Sequence, residues 1–172
     1  MWKWLAFVAV LAGAWIGALH WPVTSDFIRG RADNNLGVLY SRGLFVRKDP
    51  VEAVRWWRLA ADHGSAAGQI NLGFALQSGS GVAPDETAAA EWYEKAARQG
   101  VVEAANNLGT LYANPMTRKP DLVQARVWLK RALRIGDRDL SATIADNLAT
   151  LERDMSGAEI VRSNEVLATP YP

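Results

Sequence analysis

Residues 67–102 read AGQINLGFALQSGSGVAPDETAAAEWYEKAARQGVV, and the stretch makes sense only as one copy of a repeat. Its Leu72-Gly73 is preceded by Leu36-Gly37 and followed by Leu108-Gly109, each 36 residues away. The same step links Asp49, Asp85 and Asp121, then Ala53, Ala89 and Ala125. It also links Trp56, Trp92 and Trp128, then Gly64, Gly100 and Gly136. A gapless period between 20 and 50 residues is the signature of a solenoid, in which each unit buries its apolar face against its neighbours.

Each copy divides into two helices. In the middle copy Leu72, Ala75 and Leu76 share one helical face within an apolar run from Ile70. Gly79-Ser80-Gly81 then breaks the helix, because glycine readily takes a positive φ. The second helix starts at Asp85. In the first copy Asp49 is placed to cap, Pro50 suits the first helical position, and Glu52 is spaced to complete a capping box. Asp121 and Gln124 repeat that spacing in the third copy. Second helices carry Ala53, Trp56, Trp57 and Ala60, then Ala89, Trp92, Tyr93 and Ala96, at the 3–4 spacing of an amphipathic helix. Gly64, Gly100 and Gly136 fall where a C-terminal glycine cap belongs.

These residues resemble the Sel1-like repeat family, a relative of the tetratricopeptide repeats. The middle copy carries the resemblance through Leu72, Gly73, Gly79, Gly81, Val82, Asp85, Ala89, Trp92, Tyr93, Ala96, Ala97 and Gly100. The first carries it through Leu36, Gly37, Tyr40, Gly43, Val46, Asp49, Ala53, Trp56, Ala60, Ala61 and Gly64. The third does so through Leu108, Gly109, Tyr112, Asp121, Ala125, Trp128, Ala132 and Gly136, with Asn114-Pro115 in place of the glycine turn. The resemblance implies an all-α, right-handed α/α superhelix and a protein–protein interaction role. It names no partner.

The domain reading follows: repeats over 32–137 (about 30–65, 66–101 and 102–137), preceded by an N-terminal hydrophobic helix at 1–23 and a linker at 24–31. Ser25 or Asp26 is placed to start the first helix. Leu140, Ile144, Ala145, Leu148 and Leu151 mark a capping helix at 138–155, with Asp146, Thr150 and Arg153 on its polar side. Residues 156–172 form a tail, in which Glu159 to Ala168 can add a short helix packed on that cap.

Residues 1–23 are a membrane anchor or a signal peptide. Trp4 to Leu19 is 16 residues without a charge. Ile16 and Ala18 make a poor cleavage site. Trp2, Trp4 and Trp21 frame the run like an aromatic belt. Trp4 to Trp21 on a helix spans about 26 Å, at about 1.5 Å per residue, near a bilayer core of about 30 Å. The anchor is the better fit: a single-pass protein with extracytoplasmic repeats, the alternative being export after cleavage. Lys3 against Arg29 and Arg31 leaves the orientation open. Gly13 and Gly17 have the spacing of a helix-dimer motif, which would make a homodimer, although apolar runs rich in small residues contain it by accident.

Net charge is +1, so no general nucleic-acid footprint exists. There are no cysteines, which removes disulfides, thiol catalysis and a lipid-attachment cysteine. His20 and His63 stand far apart and make no metal site; His63 reads as a helix C-terminal residue facing the dipole. No catalytic residue and no cofactor motif is assigned, and the chain reads as a non-enzyme. Glu91 and Glu94 beside Lys95 and Arg98 read as a solvated, ion-paired face. The tryptophans at 56, 92 and 128 read as core rather than stacking platforms. Asn35, Asn71 and Asn107 precede each Leu-Gly pair, either as a ladder for a peptide backbone or as structural amides tying down neighbouring loops.

The partner surface is expected on the first helices, which by resemblance line the concave face. Leu36, Gly37 and Tyr40 face the stack, so Asn34, Val38, Ser41 and Arg42 lie on the next stripe. One repeat on, these are Ile70, Phe74, Gln77 and Ser78, then Asn106, Thr110, Ala113 and Asn114. The binding residues expected are Asn34, Val38, Arg42, Ile70, Phe74, Gln77, Asn106 and Thr110, an apolar centre with a polar rim suited to a protein or peptide. A structural part of an envelope or secretion assembly is the second reading. An enzyme acting on envelope polymer is the third, and it lacks a catalytic cluster.

Overall fold

The structure, a computed structural model, describes residues 22–115, 120–136 and 138–169. Among these, all regular structure is helical. The helices are α1 (Pro22–Arg42), α2 (Pro50–Asp62), α3 (Ala66–Ser78), α4 (Glu86–Arg98), α5 (Val102–Ala113), α6 (Leu122–Ile135), α7 (Arg138–Asp154) and α8 (Gly157–Ala168). They pair as α1–α2, α3–α4 and α5–α6, and each second helix then packs on the first helix of the next pair.

The pairs close through the Leu-Gly columns. Gly37 lies under the Trp57 ring. A Cβ on Gly73 would sit 2.8 Å from Tyr93 Cε1, and one on Gly109 would sit 2.8 Å from Leu129 Cγ. Removing the side chain lets the two helices of a pair approach until the facing ring or leucine fills the notch. The packing column is therefore Trp57, Tyr93 and Leu129, one residue past the tryptophan column. Tyr93 is fully buried. Trp92, the expected packing residue, is only partly buried, and Lys95 Nζ lies 3.7 Å from its ring centre. Trp56 is likewise half-exposed, whereas Trp128 is buried.

Turns recur with the same period. Asp49, Asp85 and Asp121 cap α2, α4 and α6 with their carboxylates. Their backbone N–H groups donate to the carbonyls of Tyr40, Leu76 and Tyr112, each at 2.9 Å. This bond explains why Glu52 does not close a capping box: the Asp49 N–H already has a partner, and Glu52 turns to Arg55. Gly64, Gly100 and Gly136 follow the second helices with φ near +78°, +82° and +76°, the left-handed geometry expected of them.

Two readings at the ends of the chain are corrected. Residues 24–31 are helix, not linker: α1 begins at Pro22, and a first helical turn tolerates proline because its N–H would have no partner there. Residues 157–168 form the short helix expected in the tail, begun by a capping box between Ser156 and Glu159. That helix, α8, lies against α6 rather than on the capping helix. Ile144, Leu148 and Leu151 bury the inner face of α7 as expected, while Ala145 faces solvent. No described helix is long and apolar enough to cross a membrane. The anchor reading, with Gly13 and Gly17, lies outside the described residues except for Pro22 and Val23 at the start of α1.

Candidate interaction surface

The expected stripe on the first helices is only partly available to a partner. Phe74 projects from the middle of α3 with 58% of its surface exposed. Val38, one repeat back, is half-buried, and Thr110, one repeat on, is exposed. Arg42 is exposed at the end of α1, with Ser78 exposed at the matching place on α3. These residues share a helical register, so they line up across α1, α3 and α5.

The other expected contacts are held by the fold. Ile70 is 8% exposed and belongs to the core, a correction to its assignment as a binding residue. The reason is local: α1 closes over that end of α3, where Asn71 Nδ2 donates to Asn34 Oδ1 at 2.8 Å. Asn106 Oδ1 accepts from Asn147 Nδ2 of α7 at 3.3 Å. Gln77 Oε1 accepts from Tyr93 Oη at 2.9 Å. Of the asparagines before the Leu-Gly pairs, Asn71 bridges α3 to α1 through Asn34, where the sequence suggested amides tied to loops or a ladder open to a peptide. Asn35 is exposed.

At the α7 end of this face a cleft of about 400 Å³ opens among α5, α6 and α7, lined by Thr110, Ala113, Leu122, Leu129 and Asn147. Its wall is mixed, apolar from the leucines and polar from Thr110 and Asn147. The cleft starts one repeat beyond Phe74. His63 is tied to Asp33 of α1 at 2.8 Å, a structural contact across the first pair. No cluster of three or more His, Cys, Asp or Glu side chains placed to hold a metal stands among the described residues.

One polar group lies deep in the stack. Arg126 occupies the column held by Val54 and Ala90 in the earlier copies, and it is 5% exposed. Its Nε donates to Glu152 of α7 at 2.6 Å, and its Nη1 donates to Ser163 and Asn164 of α8 at 2.7 and 2.8 Å. An apolar column turns polar where the last repeat meets the cap, so Arg126 joins three helices instead of a fourth repeat.

Stacked antiparallel helix pairs of this period, with glycine notches and aspartate caps, define an α/α solenoid. The chain belongs to the Sel1 repeat family: the family model matches residues 30–65, 66–101 and 102–137. It is similar to the crystal structure of a Sel1 repeat protein from Oxalobacter formigenes, with 32% identity and a TM-score of 0.60 over 72% of this chain and 50% of that one. It is also similar to a protective antigen present in uropathogenic Escherichia coli strains that displays an SLR fold. There the identity is 33% and the TM-score 0.68, over 80% of this chain and 29% of that one. The chain therefore spans half the length of the first and less than a third of the second. No curated protein matches.

Proposed function

We propose that this chain is a non-enzymatic scaffold that binds a protein or peptide segment along its first-helix face, with Phe74 as the anchor. Sel1 repeats are generally protein–protein interaction modules, which supports the class of function. The observation that carries the particular surface is Phe74: a phenylalanine exposed at the centre of a face whose neighbouring polar side chains are tied to one another. An exposed aromatic ringed by smaller groups can fill a pocket on a partner and exclude water around it. The cleft beside Thr110 offers a second foothold one repeat further on. In this reading residues 1–23 hold the chain on a membrane with the repeats outside the cytoplasm, or direct its export.

A photo-crosslinking residue at position 74, used in native membranes, tests the surface directly. The expected result is a discrete crosslinked protein that is lost when the probe is moved to exposed Arg58 on α2. Equal capture from both positions would remove the first-helix face as the binding site. Equal capture would then favour an assembly role spread over the outer surface.

A further inference from the structure

Phe45 is the most exposed large apolar side chain among the described residues, and its backbone lies in the left-handed region at φ +64°. Its column explains why no described residue covers it. Phe45 stands 36 residues before Gly81. Gly81 packs so closely on Pro50 of the preceding repeat that a side chain there has no room. No repeat precedes the first copy among the described residues, so the same turn projects from the open end of the stack. That backbone position favours glycine, yet a phenylalanine occupies it.

The neighbours of Phe45 have a matching character. Leu44 and Val46 flank it and are themselves exposed. Arg47 and Lys48 follow, both exposed. The carboxylates next in sequence have partners of their own: Asp49 caps α2 through the N–H groups of Val51 and Glu52, and Glu52 pairs with Arg55. The turn therefore presents three apolar side chains followed by two cations.

We propose that residues 44–48 are a membrane-contact tip that seats on an anionic lipid bilayer. Leu44, Phe45 and Val46 enter the boundary between headgroups and acyl chains, while Arg47 and Lys48 meet the phosphates. Shape favours a bilayer over a folded partner. The tip protrudes, and a protein would need a matching cavity to take it, whereas a lipid interface accepts it without one. Charge disfavours a second copy, because two such ends would set Arg47 and Lys48 against their own duplicates. The inference rests on the membrane placement proposed for residues 1–23 and is independent of the first-helix face.

The chain has no cysteine, so Phe45→Cys gives a single position for an environment-sensitive fluorophore. Ser80→Cys, on the matching turn of the second repeat, is the control. The whole labelled chain is mixed with phosphatidylcholine vesicles, with and without phosphatidylglycerol. The expected result is a blue shift at position 45 with the anionic vesicles and none at position 80. Two cations near the surface correspond to about a 30-fold preference for the anionic membrane. High salt, or Arg47→Glu with Lys48→Glu, removes the shift. Phe45→Gly raises the thermal midpoint by relieving the left-handed strain, which confirms that the tip does not hold the fold. A chain that co-sediments with vesicles while the probe at 45 stays in water overturns the tip and leaves the membrane placement standing. A chain that does not co-sediment overturns both. A shift that grows with protein concentration in the absence of lipid shows that a second copy covers the tip, and the proposal fails.

Discussion

Tyr93 and Trp92 are neighbours in sequence, and one residue of register separates their roles. The repeat pattern marks the tryptophan column, which is why Trp92 read as core. Which of two adjacent aromatics meets the glycine notch depends on how the second helix is rotated on the first, and periodicity alone leaves that rotation open over about 100°, one residue of an α-helix. The structure turns Tyr93 onto Gly73 and leaves Trp92 at the edge under Lys95. Tyr93→Ala is therefore expected to cost about 3–5 kcal/mol, as for other large aromatic core truncations. Trp92→Ala is expected to cost less than about 2 kcal/mol, since only part of its area leaves water. Urea midpoints of the two variants check the order, and a larger loss for Trp92 would reverse the assignment. Tyr93 also carries a pH signature. Burial, and then the charge of Glu103, push its phenol well above the usual tyrosine range. A raised folded pKa means the contribution is complete below the unfolded value of about 10 and is lost as pH rises past it. Tyr93→Phe should flatten the alkaline limb of the stability curve; an unchanged limb would place the cause elsewhere.

Among the elements, the three repeated pairs were legible because their signals are local: an aspartate before the second helix, a glycine after it, and alanines between. The ends of the chain were less so. Residues 24–31 read as a linker because no repeat column reaches them, yet helix propensity and the docking of Gly30 on Ser65 and His63 carry α1 through. The role of α8 depends on Arg126, whose meaning is visible only as a break in a column otherwise held by Val54 and Ala90. In a stack stabilised by nearest neighbours, damage at one end should stay near that end. Arg126→Ala removes charge-assisted bonds to Glu152, Ser163 and Asn164, and a loss of about 2–3 kcal/mol follows from bonds of that kind. Glu152 is a third exposed and is partly re-solvated, which keeps the figure below that of a sealed pair. Hydrogen exchange should show α6, α7 and α8 losing protection while α2 keeps it. Uniform loss across all helices would mean that the stack unfolds as one unit.

At the scale of the whole molecule, the column was legible in the sequence, and which of its side chains stay exposed was not. The 36-residue column through Val38, Phe74 and Thr110 identifies one stripe, but hydrogen-bond partners come from helices that the sequence does not place side by side. Asn34, Asn106 and Gln77 share the stripe by spacing and are drawn into bridges to Asn71, Asn147 and Tyr93. Ile70 shares it and is buried in the core. The stripe therefore contains two populations, and they should separate in one experiment. Phe74 is exposed and buries little on folding, so Phe74→Ala should leave the thermal midpoint nearly unchanged. Its affinity for the crosslinked partner should fall by about 2 kcal/mol or more, the loss seen when an interface anchor is truncated. Gln77→Ala should do the reverse. It leaves the buried Tyr93 hydroxyl without its acceptor, at a cost of about 1–3 kcal/mol in stability, while the folded fraction binds as before. If Phe74→Ala instead lowers the midpoint and the folded fraction binds with its original affinity, the ring is packing within the stack in solution and the binding surface lies on another face.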